Sequence, residues 1–80
     1  FHFASRMPKK VFILGGGHIG YLVARHLEEL NIRVKLIEED TDRCKFLSEN
    51  LSSTIVLNFD GLDAHDLLEE GIDRADLIIS

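Results

Sequence analysis

Three consecutive glycines, Gly15-Gly16-Gly17, separate a short continuous apolar run, Val11-Phe12-Ile13-Leu14, from a segment whose apolar residues recur every three or four positions. An unbroken apolar run of that length reads as a strand buried on both faces, the kind found in parallel sheets. Ile19, Leu22, Val23, Leu27 and Leu30, with Arg25, Glu28 and Glu29 between them, trace one apolar stripe along a helix from about Ile19 to Leu30. A buried strand that stops at glycines and passes directly into a helix restricts the chain to α/β architectures.

The alternation continues. Asn31 suits the end of the helix, and Arg33 to Glu38 (RVKLIE) forms a second strand. Asp40 or Thr41 caps a second helix with Cys44, Phe46, Leu47 and Leu51 on its buried side, and Thr54 to Leu57 makes a β-branched third strand. Asp63 opens a short helix, DAHDLLEEG, closed by Gly71, and Leu77 to Ile79 supply a fourth strand. Strands alternating with helices pair in parallel through right-handed crossovers. The expected fold is therefore α/β, a Rossmann-like parallel sheet with flanking helices. A complete doubly wound nucleotide domain has five or six strands, so the chain is expected to be a fragment truncated after about four. Residues 1–8 read as a linker or artificial remnant and residues 9–80 as the domain.

Charge narrows the function. The 80 residues carry 14 acids against nine bases, a formal net charge of -5, so no broad basic face is available for a phosphate backbone and nucleic-acid binding is not expected. The acidity is concentrated in residues 58–80, where seven acids face Arg74 alone. No apolar run approaches the length that inserts into a bilayer, and the lone Cys44 has no partner for an intramolecular disulfide, so a reducing, cytoplasmic setting is expected. Cys44 falls on the buried stripe of the second helix, and His26 and His65 lack a second ligand at metal-binding spacing. No nucleophile, base and orienting group occur together, and no catalytic residue is assigned.

The chemistry lies in the glycines. Gly15, Gly17 and Gly20 match G-x-G-x-x-G in the strand-to-helix context that gives the pattern meaning. Gly15 allows the tight turn, Gly17 lets a pyrophosphate approach the backbone, and Gly20 lets the helix lie close to the sheet. The phosphates then sit on unpaired N–H groups at the start of the helix, around His18 and Ile19, with the positive end of the dipole toward them. At the end of the second strand, 23 positions after Gly15, Glu38 can accept hydrogen bonds from ribose hydroxyls. A 2′-phosphate there would meet its charge together with those of Glu39 and Asp40. NAD (NAD+ or NADH) is thus expected, or ATP or ADP, and not NADP. Asn58, Phe59 and Asp60 follow the third strand at the carboxyl edge of the sheet and can reach an adenine, although Asp60-Gly61 also reads as a plain turn. Arg43 can lie over the adenine or pair with the acidic cluster, and the ion pair is the preferred expectation.

Together VFILGGGHIGYLVARHLEE, VKLIEEDTDRCKFLSENL and TIVLNFDGLDAHDLLEEGIDRADLIIS resemble the N-lobe of regulator-of-potassium-conductance proteins, the RCK or KTN domain. Within that family the sequence is most similar to the second nucleotide-binding lobe of Trk-type uptake regulators. The resemblance covers about Lys9 to Ser80. It implies that Gly15, Gly17 and Gly20 cradle phosphates, that Glu38 takes the ribose and that Asp60 lies beside the adenine. One departure stands out: the family commonly has Gly-Asp-Ala after the third strand, where this chain reads Phe59-Asp60-Gly61.

The resemblance further implies a non-enzymatic, cytoplasmic regulatory subunit, peripheral at the inner face of the cell membrane through a potassium-translocating membrane partner. The competing expectation is the cofactor-binding half of an NAD-dependent oxidoreductase, which the LLEEGID-x-AD ending disfavours. An apolar fourth strand at a sheet edge, and the paired lobes that the resemblance implies, both point to a homo-oligomer, a dimer or higher.

Overall fold

The computed structural model describes residues 7–60 and 63–80. Strand β1 (Lys10–Leu14) leads through the glycines into α1 (His18–Glu29), followed by β2 (Arg33–Glu38), α2 (Thr41–Asn50), β3 (Ile55–Asn58), α3 (Ala64–Glu69), a 3₁₀ turn at Ile72–Arg74 and β4 (Leu77–Ile79). The four strands form one parallel sheet in the order β3-β2-β1-β4. The expected α/β, Rossmann-like architecture is thus present. The first two crossovers step one way from β1 and the third returns to its other side, so the order reverses between β1 and β4, where the glycine loop emerges. Crevices at such reversals, beyond the carboxyl ends of the strands, are the usual ligand sites of open α/β sheets.

Alternation along the strands divides the core into two layers. Val11, Ile13, Val34 and Leu36 cluster with Ala24 of α1 and with Leu47 and Leu51 of the α2 region, all buried. Phe12 and Ile37 are also buried but lie on the opposite side of the pleat. That side faces α3, since Lys35, flanking Phe12, donates to the Glu70 carbonyl at 2.8 Å and to the Glu70 carboxylate at 3.0 Å.

The connections close as the residue types dictate. Helix α1 ends with Asn31 in the left-handed region (φ 60°), while the Asn31 N–H donates to Glu28 O and the Ile32 N–H to Leu27 O. This 5→2 and 6→1 pair is a Schellman closure, with asparagine where glycine is commonest. Asp40 caps α2 by accepting from the Asp42 N–H, Asp63 caps α3 by accepting from the His65 N–H, and Gly71 (φ 91°) closes α3. The fourth strand is tied down by Asp76. Its carboxylate accepts from the N–H groups of Lys9 and Lys10 at 2.7 and 2.9 Å, and its own N–H donates to Lys10 O.

The stripe on α1 departs from expectation. Ala24 is the residue of this helix that is fully buried, with Tyr21, Val23 and Leu27 packed around the core, whereas Ile19, Leu22 and Leu30 are exposed. The apolar positions of α1 span a wider arc than this sheet covers, so periodicity alone assigned to the core a flank that faces outward. On α2, Cys44 and Leu47 are buried as expected, but Phe46 stands at the edge, its ring 5.2 Å from Tyr21 in an edge-on contact.

Candidate nucleotide-binding site

Each glycine of the loop has a separate physical reason to lack a side chain. Gly15 sits at φ 110°, where L residues are strained, and its N–H continues the ladder to Ile37 O at 2.8 Å. A Cβ on Gly20 would run into the Gly15 carbonyl, so glycine is what lets α1 close on the end of β1. Gly17 caps α1 in an extended conformation (φ -69°, ψ -168°) that any residue adopts, and a Cβ there meets nothing within 4 Å. Its lack of a side chain answers no internal packing demand. Gly16, a variable position of the motif, is constrained as well: a Cβ would collide with the Leu47 side chain and approach Leu36 and the Glu38 carboxylate at 3.0 and 3.1 Å. The pattern G-x-G-x-x-G does not single out this position, although a fourth glycine beyond the three that it requires was the signal for it.

The start of α1 fits an anion. The first helical bond runs from the Tyr21 N–H to Gly17 O, leaving the N–H groups of Gly17, His18, Ile19 and Gly20 without a hydrogen-bond partner among the described residues. No side chain caps this end and no acid lies in its first turn. Four unpaired donors and the positive end of a 12-residue helix dipole therefore converge beside an open glycine. His18 and Ile19 are both exposed, and Ile19 retains 71% of its accessible surface. What they bring to this end of the helix is their main-chain N–H groups.

Glu38 lies across the loop at the end of β2. Its Oε1 accepts from the Gly16 N–H at 2.7 Å and its Oε2 from the Asp40 N–H at 2.8 Å. The Asp40 bond does most to hold the carboxyl below its ordinary range; partial burial opposes it, and the Gly16 and Glu39 N–H groups and the charge of Arg43 reinforce it. An ionised carboxylate has about four acceptor positions, so roughly two remain for an incoming pair of hydroxyls. Glu39 and Asp40 are exposed beside it.

Arg43 does not make the expected ion pair with these acids. Its Nε donates to the Gly16 carbonyl at 2.5 Å and its guanidinium lies 4.5 Å above the Phe46 ring. The aromatic ring and the loop carbonyl give it a better-defined seat than an exposed carboxylate. Asn58 is engaged at the same edge: with its amide oxygen toward the Thr41 hydroxyl (3.0 Å), its NH₂ donates to the Glu39 and Glu38 carbonyls at 3.1 and 3.2 Å. Phe59 N–H donates to Glu38 O at 3.2 Å, Asp60 is exposed, and the Gly61 half of the anticipated Asp-Gly turn lies outside the described residues. Cys44 is buried, as expected; burial, with Glu38 and Asp40 nearby, raises its thiol pKa, and its Sγ lies 3.3 Å from Glu38 O as a weak donor.

A shallow hollow lies on another face of the sheet. It has a volume of about 430 Å³ and sits over Lys10, Phe12, Arg33, Lys35, Ile55 and Glu70, away from the glycines.

The sequence model of the TrkA-N domain matches residues 11–80. The chain belongs to the TrkA-N domain family. Among its relatives, the Trk system potassium uptake protein TrkA of Haemophilus influenzae is 43% identical over 72 residues, covering 90% of this chain and 16% of that protein. The protein of the same name from Vibrio alginolyticus is 44% identical over the same shares. A TrkA homolog from Archaeoglobus fulgidus is 33% identical over 78 residues, 98% of this chain and 18% of its own. The TrkA-N domain described here thus spans less than a fifth of the length of these curated relatives. Among its described residues no helix is long and apolar enough to cross a membrane.

Proposed function

We propose that this TrkA-N domain binds an adenine nucleotide and reports its presence to a potassium-translocating membrane subunit, as part of a non-enzymatic regulator on the cytoplasmic face of the membrane. The observation that carries the reading is the set of four unpaired N–H groups at the start of α1 beside an open Gly17, with Glu38 held across the loop. The phosphates rest on the main-chain N–H groups of Gly17, His18, Ile19 and Gly20, with Gly15, whose N–H is held by Ile37 O, forming the turn beneath them, and the ribose hydroxyls take the remaining acceptor positions of Glu38. Asn58 and Asp60 border the adenine side. NAD+ or NADH is the preferred ligand and ATP or ADP the alternative, because a 2′-phosphate would lie beside the carboxylates of Glu38, Glu39 and Asp40, while the nearby cation, Arg43, is engaged with Gly16 O and the Phe46 ring. The names of the relatives, Trk system potassium uptake proteins, support a regulatory role over the cofactor half of an oxidoreductase. The working form is a homo-oligomer.

Isothermal titration with NAD+, NADH, ATP, ADP and NADPH tests this reading. Losing a charge-assisted hydrogen bond at Glu38 costs about 1.5 to 3 kcal/mol, so NADH should bind roughly tenfold or more tighter than NADPH. Tighter binding of NADPH, or no binding of any adenine nucleotide, overturns it.

A further inference from the structure

Gly16 is buried between two exposed glycines, and side chains take both of its main-chain polar groups. Glu38 Oε1 holds the N–H at 2.7 Å and Arg43 Nε holds the carbonyl at 2.5 Å. The second bond answers a real deficit. Gly16 precedes the cap of α1, and because the first helical bond ends on Gly17 O, its carbonyl has no helical donor. Arg43, in the first turn of α2, supplies one. The arginine is itself fixed from outside the crevice: its guanidinium lies on Phe46, the Phe46 ring meets Tyr21 edge-on at 5.2 Å, and Arg25 lies 5.8 Å from the Tyr21 ring.

We infer that Arg43 is a positioning residue, which orients the phosphate-binding N–H groups by clamping the Gly16 peptide against Glu38 and does not itself touch the nucleotide. The inference rests on the reading that the glycine loop takes phosphates. Its mechanical part stands on the ligand-free geometry. A peptide held at one end can rotate about its flanking bonds; held at both ends it cannot, and the donors of Gly17 to Gly20 then keep the direction in which α1 presents them. Fixing donors before the ligand arrives removes an ordering cost from binding. The guanidinium is planar and stacked, so a lysine of equal charge is a poor replacement.

Arg43→Gln and Arg43→Lys, compared with the unaltered chain, test this with two readouts. Without ligand, exchange of the Gly16 amide proton, followed by NMR, should be at least about tenfold faster in both variants, because a loosened peptide also leaves Glu38. With ligand, ADP affinity should fall about tenfold or more in both, while the weak binding of adenosine, which lacks phosphates, stays unchanged. Unchanged Gly16 exchange in both variants overturns the clamp. So does an equal loss of adenosine and ADP affinity, which would place Arg43 on the nucleoside, or full recovery of ADP affinity in Arg43→Lys while Gly16 still exchanges fast, which would reduce the arginine to its charge. If the unaltered chain binds no nucleotide, the proposed function fails, and the exchange measurement still decides the clamp.

Discussion

Gly17 and Gly16 are neighbours whose replacement should have opposite consequences. At Gly17 the backbone is extended, the space around a Cβ is empty, and valine enters the folded state without a clash. The remaining cost is that of a poor helix cap, under about 1 kcal/mol relative to glycine. A branched side chain there occupies the open space in front of the helix where phosphate oxygens must approach. Losing one or two charge-assisted bonds, at about 1.5 to 3 kcal/mol each, weakens ADP binding by roughly a hundredfold. Gly16→Ala instead drives a methyl into Leu47, which has 0% exposure and cannot move outward, with Leu36, also at 0%, behind it. Overpacking of that kind costs about 1 to 3 kcal/mol, a large part of the roughly 4 to 12 kcal/mol that a chain of this size has. Urea denaturation should leave the midpoint of Gly17→Val within a few tenths of a molar of the parent and lower that of Gly16→Ala by about 1 M or more, and titration with ADP completes the comparison. Wild-type ADP affinity in Gly17→Val would refute the phosphate cradle. Equal destabilisation of the two variants would refute the packing argument.

Glu28 sits in the last turn of α1, where the helix dipole disfavours an acid, yet it accepts four hydrogen bonds, from the N–H groups of Ser52, Ser53 and Thr54 and from the Thr54 hydroxyl. Burial raises its pKa but these bonds outweigh it and lower the carboxyl below its ordinary value, so the stabilisation is present above the unfolded pKa of about 4.3 and is lost as pH falls through the folded one. Glu28→Gln should therefore cost about 1 to 2 kcal/mol at pH 7 and little near pH 3; a difference that does not shrink on acidification would contradict the role of the charge. The edge strand β4, with Leu77 and Ile78 about half exposed, should support self-association, and light scattering at increasing salt should show the dimer strengthening. A strict monomer at high protein and high salt would count against it.

The elements were legible because each carried its own local signal. Strand β2 has the expected bounds, Asp40 and Asp63 cap where an acid precedes an apolar-periodic run, and Asn31 adopts the left-handed turn that asparagine tolerates. The glycine motif was legible for the same reason, since its spacing and its strand-to-helix setting are local. The exposed flank of α1 was not, because a periodic pattern says which residues share a face and not which neighbouring element covers it. The partner of Arg43 was also hidden: choosing among nearby acids by charge overlooked a carbonyl 27 positions away that only the fold brings into reach.

The same limit applies to the acids. Counted along the chain, residues 58–80 form an acidic block; in the fold several of those charges act as fasteners between distant segments. Asp76 holds the chain at the start of β1, Lys9 and Lys10, across 67 and 66 positions, and Glu70 meets Lys35, while Asp63 acts locally as the cap of α3. Glu28 and Glu38 do the same from the other half, each binding main-chain N–H groups more than 20 positions away. A carboxylate that accepts two or more N–H bonds secures a loop that an uncharged cap would hold less firmly. The fold also brings Lys9, Lys10 and Lys35 beside the acidic block, so the field around β4 is weaker than the chain count implies. Repulsion between two copies should accordingly be modest, and the salt dependence of association correspondingly shallow.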